Sequence, residues 1–252
     1  MSAAPAPATA AILIIGNEIL SGRTQDVNVK FIAERLAARG IRLCEVRVVP
    51  DDEDAVVSAV RALSGAYTYV FSTGGIGPTH DDITAACMAK AFGTVLEINA
   101  EAKARMSACY ASKGAVMTEG RLRMARIPAG AALVDNPVSA APGFKIENVY
   151  VMAGIPDIMQ AMFLSLEPEL AQGQPVLSRS VSGKMRESEI AAALEDIQNR
   201  HPDVEIGSYP AMGRAEPHVS LVLRATDEKK LAAATEEVLE MAKGFDKEAK
   251  EA

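Results

Sequence analysis

Three short apolar runs, each followed by a segment of helical period, constrain this chain more than any other feature. "AILIIG" (11–16) is continuously apolar and closed by Gly16, the pattern of a strand buried on both faces. "IRLCEVRVV" (41–49) stops at Pro50, and "YTYVFS" (67–72) runs into a cluster of glycines. Between the first two, "NVKFIAERLAARG" sets apolar residues at helical spacing and puts Gly40 at the C′ position. "DDEDAVVSAVRALSG" (51–65) opens with acids in its first turn and ends at Gly65. Alternation of this kind predicts an α/β domain of three layers, a mostly parallel sheet with helices on both faces. The right-handed crossover rule then gathers the loops after the three strands at one carboxyl edge.

The alternation continues less regularly. A helix is expected near 82–92, a strand at "TVLEI" (94–98), and helices over 100–112 and near 118–125. "ALVDNP" and "KIENVYVMAG" read as strand material, and "PDIMQAMFLSLEPEL" (156–170) as a helix. "AQGQP" (171–175) interrupts the pattern as a linker, which divides the chain into domains over 1–172 and 173–252. The second domain has a β-α-β-β-α order, expected of a small α+β module with both helices on one face of a short sheet. Its charged tail "DKEAKEA" is expected to fray, and the Ala/Pro-rich residues 1–10 to form a disordered lead-in.

Composition narrows the partners. Hydrophobic residues make up 49% of the chain but aromatics only 4%, with no Trp, so the core must come from Ala, Val, Ile, Leu and Met. A net charge of −7 with no basic stripe argues against nucleic acid as a partner, while a small phosphorylated ligand stays compatible. Cys44, Cys87 and Cys109 lack C-x-x-C spacing and read as thiols in a reducing compartment. "MSAAPAPATA" has no secretory n-region or h-region, and no apolar run is long enough for a bilayer. A cytoplasmic location and no membrane partner are therefore expected.

Three carboxyl-edge loops carry polar residues that a fold does not obviously need. They are "GNEILSGRTQDVN" with Glu18, Ser21, Gln25, Asp26 and Asn28, then "PDDED", then "TGGIGPTHDD". A glycine-rich turn entering a helix is an anion site, and Gly74, Gly75 and Gly77, flanked by Thr73 and Thr79, would let a phosphate reach the main chain. Gly75→Val is accordingly expected to remove ligand binding and leave the fold largely intact. Acids beside a phosphate make sense with a divalent cation (Mg²⁺, Mn²⁺ or Co²⁺), and Glu18, Asp81 and Asp82 are its candidate ligands. Structural duties compete with this. Asp81 or Asp82 could cap the next helix, in which case Asp82→Asn should cost no more than about 1 kcal/mol. Asp51 and Asp52 suit a first helical turn. His80 reads as a loop residue, and the methionines of "VMAGIPDIMQAMF" as core. No G-x-x-x-x-G-K-[ST] is present, and "GGIGPTH" lacks the last glycine of G-x-G-x-x-G.

In order and spacing, "GNEILSG…D.N", "TGGIGPTHDDIT", "NPVSAAPGF" and "MAGIPDIM" resemble the motifs of the competence/damage-inducible protein A family. The resemblance covers residues 11–170 or so and implies a molybdopterin-binding-like domain, shared with molybdopterin adenylyltransferases, molybdenum insertases and some FAD synthases. It implies that Gly74, Gly75 and Gly77 cradle a ligand phosphate, that Asp82, Asp51 and Asp26 are functional acids, and that Asn136 and Gly143 supply another ligand-facing turn. The implied activity is divalent-metal-dependent hydrolysis of a nucleotide pyrophosphate, of ADP-ribose or FAD type. Molybdopterin as ligand, in cofactor biosynthesis or in a non-catalytic binder, is the alternative, and a homo-oligomer is expected. Long members of that family continue into a nicotinamide-mononucleotide deamidase domain, and that activity is expected to be absent here. The second domain lies where the family keeps a KH-like module but has no G-x-x-G, so RNA binding is not expected. "MAGIP" also departs from the leucine-proline opening usual in its motif.

Overall fold

The computed structural model describes residues 8–211 and 217–251. The chain divides into one compact unit ending at Gly173 and another starting at Gln174. In order, the first contains β1 (Thr9–Ile15), α1 (Asn17–Leu20), α2 (Asn28–Ala38), β2 (Arg42–Val49), α3 (Glu53–Ala66) and β3 (Tyr69–Thr73). These are followed by α4 (Thr84–Phe92), β4 (Leu96–Ile98), α5 (Ala100–Ser112), α6 (Glu119–Arg123), β5 (Arg126–Pro128) and β6 (Ala132–Val134). The hairpin of β7 (Gly143–Ile146) and β8 (Val149–Met152) and then α7 (Pro156–Leu166) complete it.

A six-stranded sheet runs in the order β2-β1-β3-β8-β7-β6. Strand β1 pairs in parallel with both β2 and β3, and β3 pairs in parallel with β8. The position of β1 follows from its sequence. Alternate side chains enter two different cores, Ala11, Leu13 and Ile15 on one face and Ala10, Ile12 and Ile14 on the other. A strand apolar on both sides must be covered on both sides. Helices α3, α4 and α5 cover the first face with Val56, Val60, Met88 and Met106. Helices α2 and α7 cover the second with Ile32, Leu36, Met159 and Phe163. The scarce aromatics are concentrated there, with Phe71 5.5 Å from Tyr150 and 5.3 Å from Phe163 between ring centroids.

Several sequence expectations are corrected. The lead-in over 1–10 ends early: Thr9 and Ala10 already belong to β1, and Ala10 is fully buried; residues 1–7 lie outside the described residues. "TVLEI" does not join the main sheet, because its three strand residues are exposed and pair antiparallel with β5 in a separate ribbon. "KIENVYVMAG" is a hairpin, turning at Glu147, whose φ of 50° makes it the non-glycine residue with positive φ among the described residues. Asn148 anchors that turn by donating to the carbonyls of Ser64 and Tyr67. The antiparallel β7, and β6 paired to it, make the sheet mixed.

Arg35 on α2 clasps Glu167 on the turn after α7, its Nε lying 3.1 Å from Oε1. The Glu167 side chain is only 9% exposed and that of Arg35 43%. Removing a carboxylate from a partly buried pair strands the guanidinium, so Glu167→Ala should destabilise the first unit by about 2 kcal/mol, at the low end for buried pairs because Arg35 still reaches water. A denaturant midpoint equal to that of the wild type would contradict this. The cysteines differ in environment: Cys44 is exposed, Cys87 buried. Burial pushes the Cys87 thiol up to about 11. With dithionitrobenzoate at pH 8, Cys44 should react within minutes and Cys87 only after denaturation; prompt modification of Cys87, mapped by mass spectrometry, is the contrary result.

The second unit comprises β9 (Leu177–Gly183), α8 (Glu187–Arg200), β10 (Glu205–Pro210), β11 (Val219–Ala225), α9 (Glu228–Phe245) and β12 (Lys250–Glu251). Its sheet order is β10-β11-β9-β12, all pairs antiparallel. Val219, Leu221 and Leu223 alternate into one core shared with Ile190 and Ile197 of α8 and Leu231 and Val238 of α9. The tail does not fray as far as Glu251. Ala249 is buried, Asp246 accepts from the Lys184 amide at 2.7 Å, and β12 pairs with β9.

Candidate functional site

Parallel pairing of β1, β2 and β3 brings their three following loops to one edge of the sheet, as expected from the crossover rule. The loop after β3 is built around its glycines, which pack tightly within the chain. Gly74 has φ +99°, and a Cβ there would drive into the carbonyl oxygen of Ile15. Gly75 has φ +66°, and its Cβ would collide with the hydroxyl of Thr84. That hydroxyl donates to Gly74 O at 3.0 Å, and Thr84 N to Gly75 O at 3.1 Å. A Cβ on Gly77 would lie 2.7 Å from a carboxylate oxygen of Asp82. At Gly74 and Gly75 a left-handed backbone and the chain's own atoms exclude a Cβ, and at Gly77 the Asp82 carboxylate fills the position.

Asp82 explains the second half of the motif. Its Oδ1 accepts from Gly77 N at 2.6 Å, and its Oδ2 accepts from Thr79 N at 2.7 Å and Thr79 Oγ1 at 2.5 Å. Neither Asp82 nor Asp81 caps α4, whose N-cap is Ile83 with no side-chain bond. Asp82 instead staples the glycine loop shut across five residues. Asp81 is exposed, with His80 4.0 Å away, and the Thr79 hydroxyl holds its carboxyl below the usual carboxylate range.

The other acids are also partly engaged. Asp52 caps α3 through Ala55 N at 3.0 Å. Asp51 accepts from Asn17 N at 2.9 Å, which ties the loop after β2 to α1. Asp26 accepts from Val29 N at 2.9 Å, leaving its second oxygen without a partner among the described residues. Glu18 has neither ion pair nor side-chain hydrogen bond among them. Asn136 spends its amide on its own turn, donating to Ser139 Oγ and Ala141 O and accepting from Ser139 N. Gly143 opens β7 with its missing Cβ against the Val151 carbonyl, so its lack of a side chain serves strand packing.

A cavity of 540 Å³ lies against the glycine loop. One wall holds Gly75, Ile76, Gly77 and Asp82, another Glu18 and Thr24, and the remainder Asn136 and the apolar stretch Ile155, Pro156, Ile158 and Met162. The amides of Gly75 and Ile76 have no acceptor within the chain among the described residues. A smaller cavity of 70 Å³ adjoins it, with Glu18, Thr24, Asp26, Asn28, Thr73 and Gly74 in its lining. Asn28 is 4% exposed; its Nδ2 donates to Gly154 O at 2.9 Å, while its Oδ1 is buried without a partner among the described residues. An orphaned buried carbonyl beside two carboxylates and a threonine suits a hard cation or ordered water.

Among the described residues, no group of three or more His, Cys, Asp and Glu side chains could hold a metal, so Glu18, Asp81 and Asp82 do not form a cluster. A cation would draw one or two carboxylates, amide and hydroxyl oxygens and water, the ligation habitual for Mg²⁺ with a phosphorylated substrate. Glu18, Asp26, Asn28 and Thr73 fit that pattern better than the adjacent aspartates. Asp51 and Asp81 line neither cavity. Most of the Ile155–Met162 wall comes from the "MAGIPDIM" segment, visible in the sequence as a motif, but its place against the glycine loop is set by the fold. Asn28 was likewise visible as a loop polar residue, but only its burial marks it out. Among the described residues, no helix is long and apolar enough to cross a membrane.

Residues 11–172 match the family described as "Probable molybdopterin binding domain", and residues 175–247 match "FAD synthase, middle domain". A protein of Pyrobaculum calidifontis is 37% identical over 211 residues, 80% of each chain. A "Probable FAD synthase" of Caenorhabditis elegans is 31% identical over 232 residues, 82% of this chain and 45% of that one. Among solved structures, a protein of unknown function called CinA, from Thermoplasma acidophilum, is similar with a TM-score of 0.60 and 34% identity, over 65% of this chain and 98% of its own.

Proposed function

The chain belongs to the probable molybdopterin binding domain family, and from that premise we propose that it is a divalent-metal-dependent hydrolase of a nucleotide pyrophosphate, with FAD or ADP-ribose as the substrate type. One observation carries the reading. Among the described residues, the stapled glycine loop leaves the Gly75 and Ile76 amides without acceptors at a cavity that an unpartnered Glu18 also lines. Amide donors at a tight loop receive phosphate oxygens. The apolar wall of Ile155, Pro156, Ile158 and Met162 offers a surface for a planar ring. At 540 Å³ the cavity is within the usual range for a small-molecule site and suits one nucleotide half. The likeness of residues 175–247 to the middle domain of FAD synthase, and of the chain to a probable FAD synthase, supports a flavin or adenine nucleotide over a pterin.

A divalent ion held by Glu18, with Asp26, Asn28 and Thr73 behind it, would supply charge neutralisation on the phosphates and an activated water. The loop's part is to hold the pyrophosphate in one orientation, and Asp82 maintains the loop that does so. The test is release of AMP from FAD and from ADP-ribose, followed by chromatography with Mg²⁺, Mn²⁺, Co²⁺ or EDTA. Turnover with a metal and none with EDTA is expected. Binding of either compound with no turnover under any metal would leave a non-catalytic nucleotide binder and end the hydrolase assignment.

A further inference from the structure

The glycine loop also lines a second cavity. It measures 330 Å³ and shares Gly75, Ile76, Gly77, Asp82 and Met124 with the first, but its outer wall is different. There the end of α6 and the start of β5 place Arg123 and Arg126, and His80 of the loop is also in the lining.

Among the arginines of the first unit, these two line a cavity; Arg23 and Arg42 are also exposed without a side-chain partner among the described residues, but line none of the three cavities. Arg35, Arg47 and Arg105 are paired with carboxylates. Arg39, Arg61 and Arg121 donate to main-chain carbonyls. Arg123 and Arg126 are exposed, and neither side chain has a hydrogen bond or ion pair among the described residues. In a chain of net charge −7 a basic side chain has many acids to choose from. Two guanidiniums left unneutralised three residues apart on one cavity repel each other, and a bound anion would relieve that repulsion. Asp82, the carboxylate of the shared wall, already has its charge spread over three hydrogen-bond donors.

We propose that this second cavity is an anion subsite that takes a phosphate or pyrophosphate group through Arg123 and Arg126. Its extension, that it receives the far phosphate of a dinucleotide whose other half lies in the 540 Å³ cavity, rests on the function proposed above. The subsite itself does not rest on it.

The experiment is calorimetry with inorganic pyrophosphate at low ionic strength, on wild type, R123Q, R126Q, the double glutamine variant and R123K/R126K. A charge-assisted bond is worth about tenfold or more in affinity, so each single glutamine variant should weaken binding about tenfold and the double variant should lose it. R123K/R126K, which keeps the charge, should bind within about tenfold of the wild type. Both residues are exposed, so thermal melts should coincide for all five proteins. Wild type that does not bind pyrophosphate, a double glutamine variant that binds it unchanged, or lysine and glutamine variants that lose it equally would each overturn the subsite. ADP-ribose, titrated into the same proteins, separates the two ideas. Arginine-dependent pyrophosphate binding with no ADP-ribose binding upholds the subsite and defeats the nucleotide reading. ADP-ribose binding that ignores the arginines, with pyrophosphate unaffected, does the reverse.

Discussion

Gly74→Ala should destabilise the first unit by about 3 kcal/mol or more, a large share of the 5–15 kcal/mol that holds a typical domain together. The added methyl would have to occupy the position of the Ile15 carbonyl oxygen, at the end of β1, and would do so at φ +99°. Neither neighbour can give way cheaply. Gly74 N is bonded to Met152 O, and β1 is held between β2 and β3. Gly22 provides the control. Its φ of +71° is equally left-handed, but nothing lies within 4 Å of the Cβ position, so Gly22→Ala should cost only about 1 kcal/mol. Urea unfolding of both variants measures the difference, and equal costs would mean that the crowding at Gly74 is not what selects glycine. The same reasoning revises the expectation for Gly75→Val. With the Thr84 hydroxyl in the way, that variant should lose loop and stability together instead of binding alone.

Glu18→Gln should reduce metal-dependent turnover by about two orders of magnitude, close to 3 kcal/mol in the barrier, with stability within about 0.5 kcal/mol of the wild type. Its carboxylate lines both the 540 Å³ and 70 Å³ cavities and makes no bond that a neutral amide would break. Glutamine keeps the shape and removes the charge that a hard cation needs. Asp82→Asn, by contrast, confounds the two effects. Asparagine offers one acceptor oxygen where Asp82 receives three donors on two, so at least one amide or hydroxyl loses its partner. That change should cost about 1–3 kcal/mol, above what a helix cap would predict, and any loss of activity would partly reflect a loosened loop. Wild-type turnover in Glu18→Gln, at every metal concentration tried, would remove Glu18 from the reaction.

The strand–helix alternation was enough to predict the layers, the shared edge and the three loops, because strands apolar on both faces can be satisfied only beneath helices on both sides. Local sequence also carried the anomaly of "TGGIGPTHDD". What it could not carry was the direction in which each missing Cβ would point. Gly74, Gly75 and Gly77 answer to Ile15, Thr84 and Asp82, and the first of these contacts spans almost sixty residues of chain. Spacing likewise cannot separate an acid with bonded oxygens from one with unpartnered oxygens. Asp82, Asp51 and Glu18 look alike in the sequence, yet the first two accept amide hydrogens and the third does not. Arg123 and Arg126 had no motif at all. They come together at a cavity because "TVLEI" pairs with β5 outside the main sheet, setting both arginines beside a loop more than forty residues earlier. The sequence determined the scaffold through periodic burial, a local property. Which polar groups remain unsatisfied depends on every neighbour at once, and only the tertiary structure decided that.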